Sequence, residues 1–398
     1  MQATVVVIQP AGRSGLWACR SLARAGFRVA GLGDPDPAVS RVRGCHVLAA
    51  LSPTPRSPDV FLEEVAAFCK RVGADAILPT DDERATRLLA EHSSDGFFAG
   101  ATVAGPDARQ FSLVCDKERL QETAARLGLQ TPQSIVIKSE APTNDWPPLP
   151  GIVKPLSIGP TAGAATADKS AAVATESERA EAVRALLRVG RGALVQERID
   201  GTAWRIHFVT DGNDFAFVPG ITLRTHPPRT GMSCVQYVPR TSPPQLYEVA
   251  RRLVAELAYR GPGSVQFIER NAGFYLHDVN LRLPSSVALM ILAGLDMPAL
   301  AVQTALGLPV SFAAFSARPG VRYVWLHGER CTLVNEIRGR NLRAAAASAA
   351  EIALAVLSPS RVLVREPLAQ RLRRFAGDVR SQRSARRRPA AASAEGAQ

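Results

Sequence analysis

The chain has 398 residues, 46% of them hydrophobic and 21% charged. That is the balance of a soluble globular protein, and the length is too great for one ordinary core, so two or three domains are expected. The net charge of +12 is uneven, with ten arginines against three acids from Arg361 onward; no aromatic residues interleave with that arginine run, which argues against a nucleic-acid platform.

Six cysteines are scattered without a C-x-x-C pair. This speaks against structural zinc or a disulfide framework and fits a reducing, cytoplasmic compartment. The start, Met1-Gln-Ala-Thr-Val-Val-Val-Ile8, lacks a basic region and runs at once into Pro10-Ala-Gly-Arg-Ser-Gly15. It reads as a buried strand, not a signal peptide. A helix to about residue 25, a strand over 27–32, a helix over 60–72 and a short strand at 76–79 follow. Strands alternating with helices imply a parallel sheet. Gly12 and Gly15 supply only part of a G-x-G-x-x-G fingerprint, so a nicotinamide-dependent oxidoreductase is the weaker reading. The carboxyl ends of such strands place a ligand near Gly12, Asp34 and Asp81. Asp81, Asp82 and Glu83 suit equally well the cap and first turn of a helix.

A second unit opens at Asp116, which can cap a helix over 117–127 closed by Gly128. The proline-rich residues 141–150 form a loop, and Gly151-Ile-Val-Lys-Pro155 a strand bearing Lys154. Residues 156–167 are small and can fold over phosphates through their amides. A helix over 178–189, a strand over 193–199, a strand-rich stretch over 203–240 and a helix over 245–259 come next. Residues 261–286 then read as a hairpin with its turn at Asn271-Ala-Gly273, its apolar side carrying Val265, Phe267, Phe274, Leu276 and Val279. Period 2 places Asp278, Asn280 and Arg282 on one face, where Gln266 joins them from the neighbouring strand. Oxygen donors beside a fixed cation suit Mg²⁺ shared with substrate phosphates, with the guanidinium stabilising a transferring phosphoryl group. The plainer reading is a solvated polar face. Residues 285–310 are nearly all apolar and long enough to span a membrane, but Asp296-Met-Pro298 breaks them into two buried helices. A strand at 321–326, an alanine-rich helix over 341–356 and a helix after Pro367 complete the fold. Residues 381–398 have almost no large apolar side chains and are expected to be disordered.

The pattern Gln266…Asp278-x-Asn280-x-Arg282 resembles the metal-binding hairpin of ATP-grasp ligases. The wording Val265-Gln-Phe267 is most similar to the large subunit of carbamoyl-phosphate synthase. Asp116-Lys117…Gly128-Leu-Gln-Thr-Pro132 resembles the opening of the ATP-grasp domain, and Arg229-Thr-Gly-Met-Ser233 resembles the His-Thr-Gly-Asp-Ser loop of that synthase. The resemblance covers about residues 1–310. It implies an α/β fold: a Rossmann-like, pre-ATP-grasp parallel-sheet domain over 1–112 and an ATP-grasp domain over 113–312, in subdomains 113–200 and 201–312. An extension over 313–380 and the arginine-rich tail 381–398 would follow.

ATP is then implied between two antiparallel sheets, with Lys117 and Lys154 at its phosphates and the backbone of Gln196, Glu197 and Ile199 at the adenine. Mg²⁺, or Mn²⁺ in its place, is implied on Gln266, Asp278 and Asn280, and Arg282 as the catalytic cation. Arg224, Arg229 and Ser233 would face the acid substrate. Two positions depart from the family: Asp278 stands where Glu is usual, and Trp204 where relatives hold the ribose with an acid. The expected activity is that of an ATP-dependent carboxylate–amine ligase, working through an acylphosphate on small carboxylate and amine substrates. A carboxylating enzyme using bicarbonate, or a nucleotide-binding protein without turnover, are the alternatives. No nucleic acid and no membrane span are expected, and a homodimer is a compatible assembly.

Overall fold

The computed structural model describes residues 2–34, 37–49, 57–139, 145–157, 170–226, 230–312 and 315–364. Arg229, the loop over 158–167, the helix after Pro367 and the tail over 381–398 therefore lie outside the described residues.

The N-terminal unit is a five-stranded, all-parallel sheet in the order β3-β2-β1-β4-β5. Its strands are β1 (Thr4–Ile8), β2 (Arg28–Leu32), β3 (Cys45–Ala49), β4 (Ala76–Leu78) and β5 (Thr102–Val103). Between and after them run α1 (Gly15–Arg24), α2 (Pro37–Ser40), α3 (Pro58–Val72), α4 (Glu83–Glu91) and α5 (Ala108–Cys115). The run Val5-Val-Val-Ile8 is fully buried because helices cover both faces of a parallel sheet. Helix α3 starts on Pro58 and stops at Gly73, whose φ of 61° only glycine adopts cheaply.

Helix α6 (Lys117–Arg126) opens the second unit, with the Asp116 carboxylate accepting from the Glu118 and Arg119 amides. A four-stranded antiparallel sheet follows, in the order β6-β9-β7-β8. It comprises β6 (Ser134–Ile137), β7 (Gly151–Pro155), β8 (Ala171–Val173) and β9 (Ala193–Glu197), and it is backed by α7 (Glu176–Leu187). Helix α7 begins two residues before the expected start because Thr175 and Glu178 form a reciprocal capping box there.

A seven-stranded sheet holds the remainder, in the order β14-β13-β10-β11-β12-β15-β16. Its strands are β10 (Thr202–Thr210), β11 (Phe215–His226), β12 (Met232–Tyr237), β13 (Gly261–Arg270), β14 (Gly273–Asn280), β15 (Arg322–Trp325) and β16 (Arg361–Val364). Helices α8 (Pro244–Glu256), α9 (Val287–Leu292), α10 (Met297–Ala305), α11 (Leu326–Arg338) and α12 (Leu342–Leu357) accompany them. Residues 313–380 were expected as an extension; their described part instead adds β15 and β16 to this same sheet. Helix α11 was not anticipated, since its mixed polar surface carries no clean 3.6-residue stripe.

The apolar run over 285–310 does divide at Asp296 into α9 and α10, and the Asp296 carboxylate accepts from Ser21 of α1. Among the described residues no helix is long and apolar enough to cross a membrane. The two faces of the large sheet do different work. Trp204, Ile206, Phe208, Val265, Phe267, Leu276 and Val279 pack with α6 and α8 into one core. The other face shares a core with Val5, Val7 and Leu22 of the N-terminal unit and with α9 and α10. Burying one such aromatic or aliphatic side chain stabilises by roughly 1.5–3 kcal/mol. The hairpin β13–β14 turns through Asn271 and Ala272, both left-handed with φ of 51° and 61°, as a tight two-residue turn requires.

Candidate active site

Register across the large sheet assembles the site. Gln266 pairs with Asp278 across β13–β14, whereas the next residue, Phe267, pairs with Leu276. His277 is thus the extra residue of a β-bulge. The bulge resolves an irregularity in the sequence pattern: Leu276 and Val279 have opposite parity yet both enter the core, and Asp278 turns to the opposite face beside Gln266.

Asp278 is saturated with donors. Lys117 Nζ donates to Oδ1 at 2.6 Å, while Gln266 Nε2 and Asn280 Nδ2 donate to Oδ2 at 3.2 and 2.9 Å. Burial pushes this carboxyl up, but the neighbouring Lys117, His277 and Lys154 outweigh it and hold Asp278 well below the usual carboxylate range. Lys117 stays charged for the matching reason: burial lowers it, and Asp278 and Glu83 raise it further. Lys154, on β7 of the small sheet, donates to the His277 carbonyl at 3.2 Å. Burial, with the charge of Lys117 adding to it, brings Lys154 down to about 8 against the pull of Asp278. His277 is pushed down to about 3 by burial first and by the Lys154 charge second.

The N-terminal unit closes the site from the far side. Arg282 Nη2 lies 3.7 Å from Glu83 Oε2, its Nη1 donates to the Leu283 carbonyl at 3.4 Å, and its Nε is buried with no hydrogen-bond partner among the described residues. Asp82 is the cap of α4, accepting from the Arg84 and Ala85 amides. Asp81 has another role: it accepts from Ser14 Oγ at 2.7 Å and lies 3.7 Å from Arg13. Burial raises Asp81, but Arg13, Ser14 and Arg282 bring it below its ordinary value. Arg13 stacks over Trp325, 4.4 Å from the ring centre, and donates to Met232 Sδ at 2.7 Å.

The remaining expected residues divide. Gln196 is buried on β9 with its Nε2 unpartnered among the described residues. Glu197 exchanges backbone and side-chain bonds with Gln133, and Ile199 is buried just beyond. Ser233 Oγ accepts from Gln236 Nε2 at 2.8 Å and lies 3.4 Å from Thr222 Oγ1. Arg224 has a different partner from the one expected: it grips Glu329 of α11 at 2.9 Å through both Nε and Nη2, and that carboxylate is fully buried. A cavity of about 370 Å³ lies next to this pair, lined by Arg224, Thr332, Glu336, Asn341, Arg343 and Ser348 among others; it includes none of the residues around Asp278. Trp204, expected near the ribose, faces the core on the side away from Asp278 and donates to Glu269 at 2.8 Å.

The sequence reading passed over Arg205. It lies on β10 opposite Gln266, with its Nε donating to Thr222 Oγ1 at 3.2 Å. The alternation Trp204-Arg-Ile-His-Phe208 already marked it as sharing a face with the site.

A hairpin carboxylate flanked by amides, one lysine from α6, one from β7 and an arginine just past β14 gather the side-chain types that suit a polyphosphate. The family described as "ATP-grasp in the biosynthetic pathway with Ter operon" matches residues 193–329. The chain matches an ATP-grasp domain over that stretch. It is related to the carbamoyl phosphate synthase large chain of Rubrobacter xylanophilus, at 26% identity over 318 residues, or 74% of this chain and 29% of the relative. It therefore spans under a third of that relative's length. In fold, the ATP-grasp module and its N-terminal sheet are similar to the L-amino acid ligase of Bacillus licheniformis. The TM-score is 0.62 at 16% identity, covering 81% of this chain and 78% of that one. They are also similar to the biotin carboxylase domain of Hydrogenobacter thermophilus 2-oxoglutarate carboxylase, a dimer solved with MgADP and bicarbonate. There the TM-score is 0.61 at 17% identity, over 81% and 73% of the two chains.

Among the described residues no group of three or more His, Cys, Asp or Glu could hold a metal by itself. The donor set at Asp278 is one carboxylate and two amides, hard ligands that fit Mg²⁺ when phosphate oxygens and water supply the rest. Each amide presents its oxygen after a half-turn of its last torsion.

Proposed function

We propose that the protein is an ATP-dependent carboxylate–amine ligase that forms an amide or peptide bond and releases ADP and phosphate. The observation that carries this reading is the convergence of Lys117, Gln266 and Asn280 on Asp278, with Lys154 and Arg282 beside it. Lys117 and Lys154 hold the phosphates, and the backbone of Gln196, Glu197 and Ile199 meets the adenine. Gln266, Asp278 and Asn280 would hold Mg²⁺, which when bound would neutralise charge at the phosphoryl group. A substrate carboxylate oxygen attacks the γ-phosphorus, the bond to ADP breaks, and an acylphosphate forms. Arg282 stabilises the charge on the equatorial oxygens. The amine then attacks the acyl carbon, phosphate leaves with the bonding pair, and the nitrogen gives up a proton. Such a consumer of ATP works in the cytoplasm on small molecules.

A second reading takes bicarbonate as the acid. The relationship to a carbamoyl phosphate synthase chain and the likeness to a bicarbonate-bound carboxylase domain favour it. ADP release, followed with purified protein, ATP, Mg²⁺ and paired acids and amines, tests both. Release that needs an acid and an amine supports the ligase. Release with bicarbonate alone moves the assignment to carboxylation. ATP binding without turnover on any pair defeats both.

A further inference from the structure

The cationic side chains around Asp278 outnumber the carboxylates that face them. Lys117, Lys154, Arg282, Arg13 and Arg205 meet Asp278, Glu83 and Asp81. Four of the five cations are placed by the reading above or by a contact to a carboxylate. Lys117 lies on Asp278, Arg282 on Glu83 and Arg13 on Asp81, and Lys154 serves the phosphates. Arg205 is different. Among the described residues its one hydrogen bond goes to the neutral hydroxyl of Thr222, and no carboxylate of those residues lies within ion-pair distance of it. It is half-buried on the face that also carries Gln266, its partner in the ladder.

A guanidinium removed from water without a counter-charge is costly. Two further observations bear on Arg205. Burial first, then the charges of Arg282 and Arg13, bring Arg205 down to about 10, with Asp278 opposing. The polar neighbours beyond Arg205 are also arranged to receive a ligand. Thr222 Oγ1 is met from one side by Arg205 Nε and from the other by Gln236 Nε2 at 3.3 Å, and Ser233 Oγ lies 3.4 Å from it. The bond to Thr222 occupies only Nε, so the two terminal nitrogens of Arg205 offer the forked geometry that a carboxylate fits.

Resting on the ligase reading, we propose that Arg205, oriented by Thr222, is the anchor for the carboxylate of the acid substrate, and that the acid enters along the sheet face between Gln266 and Ser233. The ligand class is a small carboxylic acid in its ionised form. Arg224, which the sequence suggested for this task, is already engaged by Glu329, and Arg205 takes its place.

The test separates the nucleotide from the acid. The full chain is first loaded with ADP and Mg²⁺, and its rise in melting temperature reads the nucleotide site alone. Acetate, L-alanine, L-glutamate and succinate are then titrated into the loaded protein by calorimetry. At least one of them should bind the wild type. The same compound should bind Arg205→Gln at least tenfold more weakly and Thr222→Val more weakly than wild type, with the response to ADP unchanged in both. Arg205→Lys, which keeps the charge without the fork, should fall between and guards against misfolding of the glutamine variant. A loaded wild type that binds no carboxylate of the four overturns the proposal, as does a glutamine variant that binds as the wild type does. Failure of ADP to bind any of the proteins condemns the nucleotide reading instead.

Discussion

Two carboxylates, Glu329 on α11 packed against the seven-stranded sheet and Asp278 on its strand β14, meet cations in opposite ways. Glu329 is fully buried and held by one arginine, Arg224, in a forked pair at 2.9 Å. Positive and negative charge balance there one to one, so the pair has nothing left to offer a ligand. Asp278 is surrounded by Lys117, Lys154, Arg205 and Arg282 and takes three donors at once. There the positive charge is in excess. The difference teaches how to tell a structural ion pair from an anion receptor: geometry alone looks equally good at both, and the local charge balance separates them.

The largest effect is expected where that balance is broken at its centre. Asp278→Asn keeps the shape and removes the only carboxylate of the proposed ligand set. Mg²⁺ favours carboxylate oxygen, and the phosphoryl-transfer transition state needs the metal more than ground-state ATP binding does. In steady-state assays kcat should fall at least about a hundredfold while ATP affinity changes far less. Asp278→Glu, which restores the family's usual residue, should retain turnover. Near-normal kcat in the Asn variant at limiting Mg²⁺ would remove Asp278 from the metal site. Glu329→Gln should do the reverse. It strands Arg224 beside a neutral amide and should lower unfolding free energy by about 2–3 kcal/mol, below the usual range because Arg224 is partly solvated. Its ATP affinity, measured at a temperature where it is folded, should match wild type. Lost ATP binding at full stability would mean the two pairs are not as different as their charge balance says.

How much of this was legible in the chain can be traced residue by residue. The strand Gly151–Pro155, the cap at Asp116, the break at Asp296 and the hairpin with its polar face all follow from local rules of period, capping and turn chemistry, and the structure has them where the sequence placed them. What local rules could not supply is pairing across distance. Nothing near Arg224 in sequence announces Glu329, which lies 105 residues away. Glu83 reads as a first-turn acid of α4, and only the packing of the N-terminal sheet against the hairpin brings it to Arg282. Trp204 was placed by the resemblance, at the position where relatives hold the ribose with an acid, whereas side-chain alternation along β10 decides which face it takes. That same alternation would have found Arg205.

A smaller effect is expected at Lys154. It contributes one charge to a site with several, and its loss should weaken ATP binding by somewhat more than tenfold, since a charge-assisted contact to phosphate is worth roughly 1.5–3 kcal/mol. Calorimetry on Lys154→Ala with ATP measures this directly, and circular dichroism confirms the fold. Unchanged affinity would place the phosphates elsewhere and take the excess of positive charge out of the argument.

The smallest effect tests a third way in which this sheet treats a polar group. His207 lies on the same face as Arg205, fully buried, with neither ring nitrogen hydrogen-bonded among the described residues. Burial, and then the charge of Arg205, push it down to about 3, with the nearby Gln236 side chain opposing. The sign follows from linkage. Below the ordinary histidine value near 6.5 the unfolded chain takes up a proton that the folded chain refuses, so stability is full above that pH and declines as pH falls toward the folded value. Between pH 6.5 and 5.5 this single group should remove about 1 kcal/mol. His277, lowered to about 3 as well, contributes in the same direction, so the comparison must be made against a variant. Urea unfolding of wild type and His207→Leu at pH 7.5, 6.5 and 5.5 should show a shallower decline in the variant by about that amount. Equal slopes would mean that His207 is protonated in the folded protein and that the sheet face tolerates one more positive charge than its local balance allows.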